Sequence, residues 1–250
     1  MRIVIFARVP NWYSFRQDRL AKRLEVAGHE IRGIVVEKTA TLASLGEWAH
    51  KLGLRVMVEK VLKRLFSRGS TGQVGTDGLL RAVNHPTCNA PVYRVASHNS
   101  TECLKIIRML QPEVLVLRGC LPVNKSVLDV PAVGAINPHY ALLPAYRGME
   151  VTEWSVLHGD PCAVSVHWVT EAVDAGGVIA SRLLDLKRGE SLGDLREQCA
   201  TLSVELLVEV LRKIELEGIR PEVASSGMGR QYFAMHPRLY QLAEQRLKSA

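Results

Sequence analysis

Asn137, His139 and Asp174 are the residues of this chain whose types and spacing carry chemistry. Asn137 and His139 follow the small and β-branched run 132–136, which reads as a buried strand. In an extended segment residues i and i+2 point to the same side, so the carboxamide and the imidazole face one pocket at the strand's exit. Asp174 stands in the turn-like segment Val173-Asp174-Ala175-Gly176-Gly177, after a second strand-like run at 163–169. If these segments meet, a carboxylate, an imidazole and a carboxamide converge, a set that can do acid–base chemistry on a carbonyl. The amide N–H groups can donate to a developing oxyanion, and the carboxylate, directly or through water, can take a proton and return it. A carboxylate near His139 favours the imidazolium, so the expectation is a protonated, donating His139.

A sheet must hold these groups. The runs 2–7, 31–36, 91–95, 113–117, 132–136 and 163–169 read as strands. The segment 15–27 reads as a helix with Leu20, Leu24 and Ala27 on one face, stopped by Gly28. Ser100 can cap a helix through residue 109 with Glu102 in its first turn, and 151–157 is a short helix. The longest helix is 192–216, with Leu195, Cys199, Leu202, Leu206, Val210 and Ile214 on one stripe and Gly218 close behind. This order implies an α/β fold: a Rossmann-like open, mostly parallel twisted sheet with helices on both faces. Ligands of such sheets bind outside the carboxyl ends of the strands. The turn Arg118–Asn124 should therefore neighbour Asn137 and His139.

Other features bound the function. The first strand runs into Ala7-Arg8-Val9-Pro10-Asn11-Trp12-Tyr13, a loop without glycine, which argues against a nicotinamide or flavin cofactor. Trp12, Tyr13 and Arg16 can stack on and pair with a base or sugar phosphate, or simply pack over the sheet edge. Residues 44–68 read as one or two helices ending in the basic run 60–68, either a solvated amphipathic face or a surface for a membrane or nucleic acid. Residues 69–78 read as a mobile loop. His85 and Cys88 are half of a metal-site pattern without the other half, so no metal is expected. His29, His50, His98, His158 and His236 read as surface or turn residues. Five widely spaced cysteines without a C-x-x-C pair suit a reducing, cytoplasmic setting. No apolar run is long enough to span a bilayer. A hydrophobic content of 47% can fill a core, and a net charge of +7 favours an anionic partner. The expected organisation is a catalytic domain over 1–220 and a tail over 221–250, whose short helix after Pro237 is an edge cover or a homodimer contact.

The central stretch resembles the active-site core of the tetrahydrofolate-dependent formyltransferases, the family of the glycinamide ribonucleotide, methionyl-tRNA and sugar N-formyltransferases. The pattern Asn-x-His-x-x-Leu-Leu-Pro-x-Tyr-x-Gly is matched by Asn137, His139, Leu142, Leu143, Pro144, Tyr146 and Gly148. Its distant partner is similar to Ser165–Val169 followed by Val173–Gly176. The resemblance implies that Asn137, His139 and Asp174 are catalytic and that the donor is N10-formyltetrahydrofolate. It implies a pterin slot lined by Leu121, Pro122 and Val123 and bordered by Thr170, Val173 and Asp174. His167, Arg147, Gly148 and Trp12 are then candidate contacts to the acceptor, and the Leu143–Pro144 bond is expected to be cis.

Two departures narrow the acceptor. The family's glycine-containing phosphate loop is absent after the first strand, which puts glycinamide ribonucleotide in doubt. Methionyl-tRNA, and nucleic acid generally, is disfavoured because only 221–250 follows the long helix, where those enzymes carry an RNA-binding domain. A small anionic amine remains, an amino sugar by preference. A formyltetrahydrofolate deformylase would use the same residues, but usually carries an amino-terminal domain ahead of the first strand. A folate- or nucleotide-binding protein without catalysis is the third reading.

Overall fold

The computed structural model describes residues 1–9, 14–38, 88–221 and 229–249. Trp12, Tyr13, the helices and basic run expected over 44–68, the loop expected over 69–78, His50 and His85 lie outside them, as does the side chain of Arg16.

Seven strands form one sheet: β1 (Arg2–Val9), β2 (Glu30–Lys38), β3 (Val92–Val95), β4 (Val114–Leu117), β5 (Gly134–His139), β7 (Ala163–Trp168) and β8 (Val178–Leu183). Their order is β3-β2-β1-β4-β5-β7-β8. The pairs from β3 to β5 are parallel, whereas β5–β7 and β7–β8 are antiparallel. The expected mostly parallel α/β sheet is what the chain forms.

Helices cover both faces because the strands are apolar on both. One core packs Ile3, Ile5, Val114, Val116, Ile136, Val164 and Val166 against α1 (Ser14–Val26) and α5 (Leu192–Glu217). The other packs Val4, Phe6, Val35, Leu115 and Leu117 against α2 (Thr101–Leu110) and α3 (Lys125–Leu128). The termini follow local chemistry. Ser100 Oγ accepts the Cys103 N–H at the start of α2, Ser191 and Asp194 form a capping box on α5, and Gly218 closes α5 at φ 64°. A shorter helix, α4 (Val151–His158), precedes β7 and ends at Gly159, φ 78°.

Three differences from the sequence reading have physical causes. The expected strand 132–136 is displaced to Gly134–His139, because β7 supplies an antiparallel partner that keeps Asn137 and His139 in the ladder. His98 is 1% exposed rather than on the surface, stacked on Phe6 at 4.4 Å with Nε2 3.1 Å from the Val35 carbonyl. His29 is also buried, which, with the terminal amine of Met1 3.4 Å away, lowers its pKa.

The carboxy-terminal segment lies against the body. A small parallel pair joins β6 (Tyr146–Gly148) to β9 (Arg230–Tyr232), and α6 (Pro237–Ser249) shares an apolar cluster with α4 and α5 through Ala243 and Leu247. No helix among the described residues is long and apolar enough to cross a membrane.

Leu207 of α5 is fully buried on the sheet and Leu216 is 73% exposed near its end. Leu207→Ala should cost about 2–5 kcal/mol in urea unfolding and Leu216→Ala less than about 0.5 kcal/mol. Equal losses would mean that the buried face of α5 does not carry the packing.

Candidate functional site

The register of β5 on β7 builds the site. Asn137 pairs with His167 and His139 with Ser165. Side chains opposite each other on one sheet face are neighbours, and Asn137 Nδ2 lies 3.2 Å from His167 Nε2. Asp174 completes the group from the loop between β7 and β8. Its φ of 47° is left-handed, a conformation that aspartate tolerates better than most residues. Its Oδ2 accepts the Gly148 N–H at 2.9 Å and lies 3.5 Å from His139 Nδ1, while Oδ1 lies 3.5 Å from His167 Nε2.

Two backbone carbonyls assign the imidazole protons. His139 Nε2 is 2.8 Å from the Tyr146 carbonyl and His167 Nδ1 is 2.8 Å from the Trp168 carbonyl. A carbonyl only accepts, so these nitrogens carry the hydrogens and the other nitrogen of each ring presents a lone pair. His167 Nε2 therefore accepts from Asn137. The second Nδ2–H of Asn137 is left for a ligand.

Burial is the largest influence on His139 and lowers its pKa, outweighing the attraction of Asp174. This reverses the expected imidazolium: at neutral pH His139 is neutral, with Nδ1 as an acceptor. Burial alone would raise the pKa of Asp174, but the contact with His167, the field of His139 and the Gly148 N–H together bring it down. The resting state is a carboxylate beside a neutral imidazole, an arrangement ready to receive a proton.

A second layer fixes the first. The Ser165 hydroxyl donates to the Ala141 carbonyl and accepts the Leu143 N–H, pinning the turn that contains the cis Leu143–Pro144 bond. Tyr146, whose carbonyl holds His139, stacks on Tyr232 at 5.0 Å, and its hydroxyl donates to Asp160 and lies 2.8 Å from His158 Nδ1. Arg147 donates from Nε and Nη2 to the Gly229 carbonyl and from Nη1 to that of Val173. It ties the Asp174 loop to the carboxy-terminal segment. Gly148 has φ +100°, and a Cβ there would lie 2.1 Å from the Tyr232 carbonyl oxygen. Only glycine gives Asp174 its N–H while β9 runs alongside.

The remaining described candidates stand on the loops after β4 and β7. Leu121 is 48% exposed and Pro122 is exposed, while Val123 is buried. Asn99 clamps this loop through the Pro122 carbonyl and the Asn124 N–H, and the Lys125 N–H donates to Glu171, which joins it to the Asp174 turn. Thr170 is exposed and donates to the Ala172 carbonyl, while Val173 is half-buried. Tyr146 is a position of the matched pattern, but the hold of its carbonyl on His139 was not legible, because any residue possesses a backbone carbonyl.

The lowered pKa values set a pH dependence. A group whose folded pKa lies below its unfolded value contributes stability that is present above the unfolded value and is lost as pH falls through the folded one. For His139 that loss begins below about pH 6.5, and for Asp174 below about 3.9. Unfolding free energy should therefore decline from pH 7 to pH 5, by at most about 1.4 kcal/mol per pH unit from His139. His139→Gln should flatten this decline in urea titrations, and an unchanged slope would mean that His139 is not the group responsible.

The family model described as formyl transferase matches residues 64–211. The methionyl-tRNA formyltransferase of Clostridioides difficile is 33% identical over 137 residues, which are 53% of this chain and 43% of that protein. The chain thus spans less than half the length of this curated relative. Among solved structures, the fold is similar to that of glycinamide ribonucleotide transformylase 1 from Symbiobacterium toebii, with TM-score 0.60, 17% identity and coverage of 90% and 94% of the two chains. It is also similar to the formyltransferase PseJ from Anoxybacillus kamchatkensis, solved in complex with UDP-4,6-dideoxy-4-formamido-L-AltNAc and tetrahydrofolate, with TM-score 0.54, 15% identity and full coverage of both chains. The chain belongs to the formyl transferase family.

Proposed function

We propose that this chain transfers a formyl group from N10-formyltetrahydrofolate to the primary amine of a small anionic acceptor, an amino sugar or nucleotide-linked amino sugar. The observation that carries the reading is the cluster of Asn137, His139 and Asp174 around His167 at the end of β5. The amino-sugar preference is supported by the formamido sugar and tetrahydrofolate bound to PseJ and by the net charge of +7. The exposed apolar Leu121 beside the polar Thr170–Asp174 turn suits a flat heterocycle with hydrogen-bonding edges. Residues 1–220 are assigned as the catalytic domain, with 221–250 appended to it.

Each group then has a role. The free Nδ2–H of Asn137 donates to the formyl oxygen as negative charge develops there. The new C–N bond forms from the acceptor amine, and the bond from the formyl carbon to the folate nitrogen breaks. The proton lost by the amine enters the space between His139 Nδ1 and Asp174 Oδ2, where the carboxylate and the imidazole share it. The same proton is returned to the departing folate nitrogen. His167 keeps the carboxamide of Asn137 in the orientation that presents an N–H.

Tetrahydrofolate release from N10-formyltetrahydrofolate should require a pool containing nucleotide-linked amino sugars. Release in buffer alone would make water the acceptor and the chain a deformylase. Asn137→Ala should lower kcat about a hundred- to a thousand-fold, and Asp174→Asn about a hundred- to ten-thousand-fold, with melting temperatures near that of the parent. Turnover surviving both changes would remove these residues from the chemistry.

A further inference from the structure

Arg118 takes no part in the chemistry above, yet it is 2% exposed. It follows β4 directly, at the carboxyl end of the parallel strands, and its N–H donates to the Phe6 carbonyl at 3.2 Å. Val114 and Val116 face α1 and α5, and Leu115 and Leu117 face α2. By alternation the Arg118 side chain is on the α5 side. There Nη2 donates to the Ser203 hydroxyl at 3.2 Å, and at 3.4 Å to the Ala200 carbonyl and to the hydroxyl of Tyr140. Among the described residues, Nε and Nη1 are buried without a hydrogen-bond partner and no carboxylate pairs with the guanidinium.

Other inward arginines are answered. Arg196 pairs with the buried Glu153, Arg8 with Glu37, and Arg147 with backbone carbonyls. Arg118 differs, and it cannot escape by losing its proton as a buried lysine would. A buried cation with unused donors is strongly destabilising unless an anion meets it. The planar fork suits a phosphate or carboxylate held by paired N–H bonds. Its position at strand carboxyl ends is where ligands of open sheets bind, and Tyr140 is the residue after His139.

We propose that Arg118, with the hydroxyl of Tyr140, is a binding site for the phosphate or carboxylate of the acceptor, while Ser203, whose hydroxyl donates to the Ala200 carbonyl, holds the guanidinium in place. The assignment to the acceptor rests on the transferase reading given above. The donor's carboxylate fits less well: Val123, on the loop proposed for the folate, belongs to the α2-side core, across the sheet from this guanidinium.

Inorganic phosphate is the probe. Titrated into the full chain, it should shift the Arg118 Nε–H resonance in 1H–15N spectra, identified by its loss in Arg118→Lys. Calorimetry should show binding weakened about tenfold or more in Arg118→Met, with Arg118→Lys intermediate and tetrahydrofolate binding unchanged. Phosphate bound equally by the parent and Arg118→Met, or not bound by the parent, would overturn the proposal. So would tetrahydrofolate binding that falls in Arg118→Met while phosphate binding holds, which would give the cation to the donor. If Arg118→Met does not fold, the parent resonance decides: a shift supports the site and its absence ends it. These readouts need no turnover, so failed formyl transfer with intact phosphate binding would strike only the reaction, and the reverse only the site.

Discussion

The carboxylate of Asp174 is the constraint on which the site depends. It is held between one backbone N–H and two imidazoles, and each contact comes from a different part of the chain. The N–H belongs to β6, His139 to β5 and His167 to β7. A largely covered carboxylate needs a hydrogen-bond donor, and the Gly148 N–H supplies one. The geometry that seats Asp174 also fixes the distance between Asn137 and both rings.

Backbone carbonyls decide what the rings can do. Tyr146 and Trp168 each take one imidazole hydrogen, so both lone pairs turn toward the same carboxylate. Two lone pairs facing an anion is an electron-rich arrangement that gains when a proton arrives. Had either ring been held by a donor instead, its tautomer would reverse and the pocket would offer hydrogen rather than seek it. This is chemistry written by main-chain atoms, and the side chains above Tyr146 matter because they keep one carbonyl in place.

Much of this was legible in the sequence, and the rest was hidden for identifiable reasons. The spacing of Asn137 and His139 on a strand, and Asp174 on a glycine-rich turn, carried the site because strand periodicity is local. The helix ends at Ser100, Ser191 and Gly218 follow equally local rules. The neutrality of His139 was not legible: local logic saw a nearby carboxylate, while the deciding effect is burial under elements far away in the chain. Strands β6 and β9 have three residues each and exist only because they pair, so neither has a signature of its own. The arginines make the same point. Arg8, Arg118, Arg147 and Arg196 count alike in the net charge, and only packing separates a strut from an ion pair or an unanswered cation.

The pairing of β6 with β9 has a consequence for synthesis. Gly148 and Tyr146 are translated long before Arg230–Tyr232, yet the strand that presents their N–H and carbonyl to the site is completed by those later residues. A ribosome-bound chain can lay down the parallel strands and α5 while this edge is still unpaired. Alignment of the site waits for these later residues, so a chain interrupted before Arg230 would hold Asn137, His139 and Asp174 but lack the strand that aligns them.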